Sequence, residues 1–458
     1  MRRLLLAVSA LALTTPALAA PDWHAKGREI FETAINIPTT ESRPEEMPKL
    51  VAYLKGQFEA AGIKDIVVKD HDGTQSMIVR WKASGEPTKK PILLLGHMDV
   101  VEAKREDWPR DPFKMVEVDG YLYGRGAIDM KSGVAAIANS LIWLKAEGFK
   151  PKRDIIILFT GDEETAGNGA LRAATEWRDL VDAEYALNAD AGGGAYTKDM
   201  KPLGFGFQTS EKMFQSYWLT ARNPGGHSSR PRPDNAIYDL ATGLKKVEAY
   251  RFTPMLNETT RAYFQFRQKR EKGVLGDAMR HWLANEKDGA AADIIEADPL
   301  EVGQTRTRCV ATRLEGGHAD NALPQMARAM INCRIFPGVE AKSVQDELQQ
   351  AVGSAITVEP VAEARPSPPS PLRADVIKAV TDSLLKRHKD AELAPQMSTG
   401  ATDGLFFRSV GIPVYGVSGA WIISPDDERA HGKDERIPVK SFNEELDHWY
   451  DIVKALAG

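Results

Sequence analysis

Three short runs constrain this chain more than any other feature. Pro91 to Leu95, Asp154 to Thr160 and Tyr185 to Asn188 read as buried strands. Each runs directly toward a polar motif bearing acids or a histidine: Gly96-His97-Met98-Asp99, Gly161-Asp162-Glu163-Glu164 and Asp190. Helical periodicity occupies residues 131–147 and 168–178. Strands alternating with helices predict an α/β sheet. Ligands collect at the carboxyl ends of the strands in such sheets, and all three motifs fall there.

The texture changes after about Glu211. Phe214 to Ala221 is strand-like, a mostly helical stretch runs from Asp234 to about Ala297, strands follow at 305–314 and 326–336, and a helix at 341–352. A proline-rich linker, Ala364 to Pro371, ends this α+β unit. The α/β texture then resumes with a helix at 373–387, a strand at Pro413 to Val417 and a terminal helix at 441–456. The expected organisation is a first catalytic part over 20–211, an inserted domain over 212–363 and a second catalytic part over 364–458.

Residues 1–19 stand apart. Arg2 and Arg3, an apolar run from Leu4 to Leu13 and Ala17-Leu18-Ala19 have the layout of a cleavable secretory signal. The run is short for a bilayer span. The expectation is export to the periplasm or medium, with no stable membrane insertion after cleavage. A formal net charge of −5 without a basic stripe argues against nucleic acid as a partner. Cys309 and Cys333 are too few for a thiolate metal site; they are either one cross-strand bridge or two free buried thiols.

The chemistry therefore falls to scattered His, Asp and Glu. Carboxylates with one or two imidazoles suit Zn, Co or Mn. His97 and Asp99, two apart on an extended segment, face one side, so Asp99 can support His97. In Gly124-Arg125-Gly126-Ala127-Ile128-Asp129, Asp129 stands where a dinucleotide loop has its third glycine and would repel a pyrophosphate. It reads as a metal ligand or as a simple helix cap. Three successive acids, Asp162 to Glu164, repel one another unless a cation neutralises them.

Taken together, His97 to Val101, Trp108, Asp111-Pro112-Phe113, Gly124 to Lys131, Asp162 to Glu164, Asn188 to Asp190, Gly225 to Ser229, Asn321 with Pro324, and Ala430 to Glu435 resemble the M20 metallopeptidases in order and spacing. The resemblance implies a mixed-sheet, two-metal α/β catalytic domain interrupted by an α+β lid and dimerisation domain. It implies two Zn2+ per chain, with Co2+ or Mn2+ as substitutes. Asp129 would bridge them, with His97 and Asp190 completing one site and Glu164 and His431 the other. Glu163 would be the general base, Asp99 would orient His97, and His227 would stabilise the oxyanion. Asn321, Arg334, Gly400 and Asp403 would bind substrate, Arg334 through a carboxylate.

The implied reaction is hydrolysis of the amide bond of dipeptides or C-terminal residues by a homodimer. An N-acyl-amino-acid deacylase is the alternative, and a catalytically silent metal-bound envelope protein is the alternative of another class. Two departures stand out: Glu102 replaces a proline that many members carry, and residues 257–300 add helical material.

Overall fold

The computed structural model describes residues 21–458; the expected signal segment lies outside the described residues. A ten-stranded mixed sheet forms the frame. Its order is Asp65–His71, Thr74–Trp81, Ile155–Thr160, Ile92–His97, Tyr185–Asn188, Val414–Gly416, Pro202–Glu211, Gly193–Tyr196 and Trp421–Ile423, and Leu393–Ser398 also pairs with Pro202–Glu211. Ile155–Thr160, Ile92–His97, Tyr185–Asn188 and Val414–Gly416 run parallel to one another.

Every residue of the three strands read from sequence is buried. That follows from helices covering both faces of a parallel sheet. Ile92 and Leu94 point into the cluster formed with helices Trp23–Asn36, Lys131–Ala146 and Val439–Ala457. Leu93 and Leu95 point the other way, toward helices Asn168–Ala174 and Gly404–Ser409. Helix Lys131–Ala146 is rich in small residues for a reason: a Cβ on Gly133 would lie 2.8 Å from the Ala189 side chain. The helix thus lies against the strand end that leads to Asp190.

The chain leaves this sheet at Glu211 and enters a second at Met213. The second sheet orders Arg308–Gly316, Met326–Ile335, Met213–Arg222 and Ile356–Pro360, all antiparallel. Met326–Ile335 alternates half-buried and buried residues throughout, the pattern of a sheet covered on one face. Leu219, Ile331, Val344 and Leu348 fill the covered side under helices Ala236–Ala249 and Ala341–Val352. Cys309 and Cys333 are register partners and form a disulfide. The bridge pins the edge strand to its neighbour and decides against two free thiols.

Helices Glu258–Arg267, Gly273–Ala284 and Gly289–Glu296 enclose a core of their own around Phe264, Met279, Trp282 and Ile295. The sequence reading placed them with the inserted unit. Of these, Glu258–Arg267 packs on the ten-stranded sheet: a Cβ on Gly204 would meet the Phe266 ring at 2.7 Å, and Thr259 hydrogen-bonds Thr209 at 2.6 Å; Glu296, at the end of the third helix, reaches Arg308 of the inserted sheet. No helix among the described residues is long and apolar enough to cross a membrane.

Candidate metal centre

His97 ends its strand and is 1% exposed. Its Nε2 lies 3.1 Å from Asp129 Oδ1 and 3.6 Å from Asp190 Oδ1. On the far side of Asp129, His431 Nε2 lies 3.0 Å from Asp129 Oδ2 and 2.9 Å from Glu164 Oε2. Asp129 thus stands between two imidazoles, one oxygen toward each. Potential ligand atoms of His97, Asp129 and Glu164 all lie within 4.8 Å of one another, as do those of His97, Glu163 and Asp190. Glu163, assigned by sequence as the base, therefore sits within ligand range of His97 and Asp190.

Buried bonds fix the loops that carry these groups. Asp99 contacts His97 Nδ1 through its backbone carbonyl at 3.0 Å, with its own carboxylate 3.5 Å away. That carboxylate accepts the Glu163 and Glu164 amides at 3.2 and 2.9 Å. It therefore positions Glu163 and Glu164 as well as the imidazole. Asp162 is not part of the ligand groups. Its carboxylate accepts the Asn168 and Gly169 amides and closes the turn after Glu164.

Glu435 was quoted in the terminal motif without a role, and the structure supplies one. Fully buried, it accepts the Gly126, Ile128 and Asp129 amides at 2.8–3.0 Å and pairs with Arg125 at 2.6 Å. Only its place four residues after His431 hinted at this. Asn188 donates to Thr402 Oγ1 and accepts from the Asp190 amide, fixing the turn to Asp190.

The electrostatics are one-sided. Asp99, Asp129, Glu163, Glu164, Asp190 and Asp403 gather with His97 and His431, and no lysine or arginine among the described residues forms an ion pair with these acids. Burial, with repulsion from Asp190, Asp403 and Asp99 outweighing the pull of His97, pushes Glu163 up to about 10. Burial and Asp129 push Glu164 up to about 7, and burial pushes Asp190 to about 6 and Asp403 to about 8. Burial opposes the charge on His97, yet hydrogen bonds to Asp129, Asp190 and Asp99 raise its pKa well above the usual imidazole value. Carboxylates crowded out of water want cations. Asp403 Oδ1 is moreover buried without a partner. Oxygen and imidazole donors in this arrangement fit a pair of divalent ions of the Zn, Co or Mn type.

The remaining sequence candidates lie elsewhere. His227 is exposed on Gly226–His227, which pairs with Ala322–Leu323, and its Nδ1 accepts from Ser229 Oγ at 2.8 Å. The Asn321 carbonyl accepts the Ser228 amide. Among the described residues no hydrogen bond or ion pair joins His227 or Asn321 to the cluster. Arg334 and Gly400 line a separate cavity of about 860 Å³. Asp403 does not fit its expected role of substrate contact: it is 5% exposed and accepts from Thr160 Oγ1 at 2.5 Å, packed behind the cluster.

The sequence model of peptidase family M20/M25/M40 matches residues 93–455. The chain belongs to this family. As an M20 hydrolase it is 28% identical to a probable carboxypeptidase S-like 2 of Dictyostelium discoideum, over 83% of this chain and 74% of that protein. It is 27% identical to the human N-fatty-acyl-amino acid synthase/hydrolase PM20D1, over 93% of this chain and 87% of that protein. Its fold matches the M20 family metallo-carboxypeptidase Sso-CP2 from Sulfolobus solfataricus with a TM-score of 0.67 at 19% identity, covering 94% and 98% of the two chains. The M20 assignment, the mixed α/β fold and the metallohydrolase class expected from sequence all stand on these matches.

Proposed function

We propose that this M20 chain is a zinc-dependent peptidase that releases an amino acid by cleaving an amide bond next to a free carboxylate, from a dipeptide or a peptide C terminus. One observation carries the reading: Asp129 presents one oxygen to each of two imidazole–carboxylate sets. A bound pair of divalent cations supplies Lewis acidity for the scissile carbonyl and a water of lowered pKa.

The chain's own residues do the rest. Asp99 holds the 163–164 backbone so that the Glu163 carboxylate faces the centre. With bound cations offsetting the repulsion that raises its pKa, an ionised Glu163 takes a proton from the attacking water on a carboxylate oxygen and returns it to the leaving amine nitrogen. The His227 imidazole donates to the oxygen that gains charge as the carbonyl becomes tetrahedral. Asn321 holds the substrate beside it, and Arg334 takes the substrate carboxylate in a two-pronged bond. The cationic cavity, bounded by Thr399 and Gly400, leaves room for the amine-side residue.

A second reading, hydrolysis of N-acyl amino acids, draws on the similarity to PM20D1 across 93% of this chain. It needs the same amine-side carboxylate and differs only in what fills the carbonyl side. We further propose export, and a homodimer in which the inserted sheet takes part. A matched panel of dipeptides and N-acyl amino acids tests the function. Release of the carboxyl-side amino acid from dipeptides is expected. Release confined to N-acyl amino acids would favour the second reading, and release from neither class would overturn both.

A further inference from the structure

The cavity beside Arg334 carries more positive charge than one carboxylate requires. Arg308 and Arg334 are register partners on adjacent strands, so their side chains stand on one face of the inserted sheet. Like charges placed directly opposite are unfavourable unless something neutralises them. Glu296 reaches Arg308 at 3.2 Å, but it also accepts the Gly303 and Thr305 amides and Thr305 Oγ1. The Arg334 guanidinium makes no hydrogen bond or ion pair among the described residues and lies over the Phe214 ring at 5.0 Å.

Lys212 adds a third cation to the same wall. It is 1% exposed. Its Nζ donates to the Arg306 carbonyl at 2.7 Å, and no carboxylate pairs with it. Burial pushes its ammonium down to about 7; Glu296 opposes that shift, while Arg308 and Arg334 add to it. Lys245 and Glu248, which also line the cavity, pair with each other. Two guanidiniums and a buried lysine that an added anion would charge therefore face one shared carboxylate.

A buried lysine left without an anion is costly, so this wall is built to receive negative charge. One carboxylate on Arg334 leaves Lys212 and Arg308 underneutralised. The place of the cavity suits the amine side of a substrate. Its wall at Gly400 is three residues from Asp403, at most about 11 Å of chain, and Asp403 is packed behind the catalytic cluster.

We infer that Lys212 and Arg308 bind a second anionic group, so that the amino acid released is preferentially an acidic one, with a side-chain carboxylate. This rests on the amidohydrolase reading above for what the ligand is. It adds a specificity that neither Arg334 nor the metal centre supplies.

The test compares L-glutamate with L-glutamine, equal in shape and different by one charge, binding to the full-length mature, zinc-loaded enzyme by calorimetry. Glutamate is expected to bind about tenfold or more tightly. Arg308→Gln should bring the two within about twofold, and Arg308→Lys should restore part of the preference, which a merely structural arginine would not show. Equal binding of the two ligands in the unsubstituted enzyme, or a preference untouched by Arg308→Gln, would overturn the inference. Inorganic phosphate binding as tightly as glutamate would also overturn it, by making the wall a general dianion site. Hydrolysis of neutral dipeptides alongside equal binding removes this inference and leaves the peptidase reading standing. Glutamate-selective binding with no hydrolysis of any amide supports the cavity and removes the peptidase reading.

Discussion

The metal centre and the cavity of the inserted sheet are unbalanced in opposite senses. At the carboxyl ends of the parallel strands, six carboxylates gather with two imidazoles, and burial raises Glu163, Glu164, Asp190 and Asp403. Along the inserted sheet, Lys212, Arg308 and Arg334 face the single carboxylate of Glu296. Neither imbalance serves folding, since buried like charges repel. Under the proposed function, each is complementary to what the region would hold: cations in the first, an anionic substrate in the second. The regions also differ in support. Buried carboxylates of Asp99, Asp162 and Glu435 each hold two or more backbone amides around the centre, whereas exposed His227 is held by bonds to Ser229.

That contrast can be broken at either end, and the centre should give the largest effect. Glu163→Ala should lower kcat about a thousandfold or more, while circular dichroism and metal content stay as in the parent. Wild-type turnover in that variant would contradict the assigned base. Glu435→Ala leaves Arg125 buried without its carboxylate, and three amides lose their acceptor. Chemical denaturation should show a loss of about 3–5 kcal/mol, and a loss below about 1 kcal/mol would show that Glu435 is not the clamp of the Asp129 loop. His227→Ala should do the reverse. Being exposed, it should leave stability near the parent value while kcat falls about 100-fold; an unchanged kcat would remove it from the mechanism.

Two smaller effects belong to the cationic side. Cys309→Ser opens a bridge that spans 24 residues of sequence and should cost about 3 kcal/mol of stability, seen as a lower denaturation midpoint that reducing agent does not shift further. Arg334→Lys keeps the charge but loses the fork geometry. It should raise KM about tenfold with little change in kcat. An equal fall in kcat would mean that Arg334 acts in the transition state rather than in holding substrate.

Much of this was legible in the chain because local signals and tertiary fate agree. Ile92–His97, Ile155–Thr160 and Tyr185–Asn188 are apolar because both faces are covered, and they lead into the candidate ligands His97, Glu164 and Asp190. Pro202–Glu211 was not legible. Its second half buries Gln208, Thr209 and Glu211, polar residues matched by partners distant in sequence, such as Arg408 for Glu211 and Thr259 for Thr209. No window of sequence contains those partners. Gly193–Tyr196 was missed because its glycines answer to packing: a Cβ on Gly194 would lie 2.1 Å from the Trp421 ring. The helical stretch 258–296 was placed with the inserted unit, although it meets both sheets, because an apolar stripe does not say which surface it meets. At the site, the candidate ligands His97, Glu164 and Asp190 stood out as polar residues at strand ends. The clamp Glu435 and the Lys212–Arg308 wall did not, because their meaning lies in which backbone amides and charges surround them.

The central claim is that Asp129 joins two cation sites into one centre. The most direct measurement is metal content by mass spectrometry on the purified protein and on Asp129→Ala, paired with dipeptide turnover before and after chelation. The account predicts about two divalent ions per chain in the parent, activity lost on chelation and restored by Zn2+, and loss of both ions together in Asp129→Ala. A parent that holds no metal, or an Asp129→Ala protein that keeps two ions and its turnover, would contradict it.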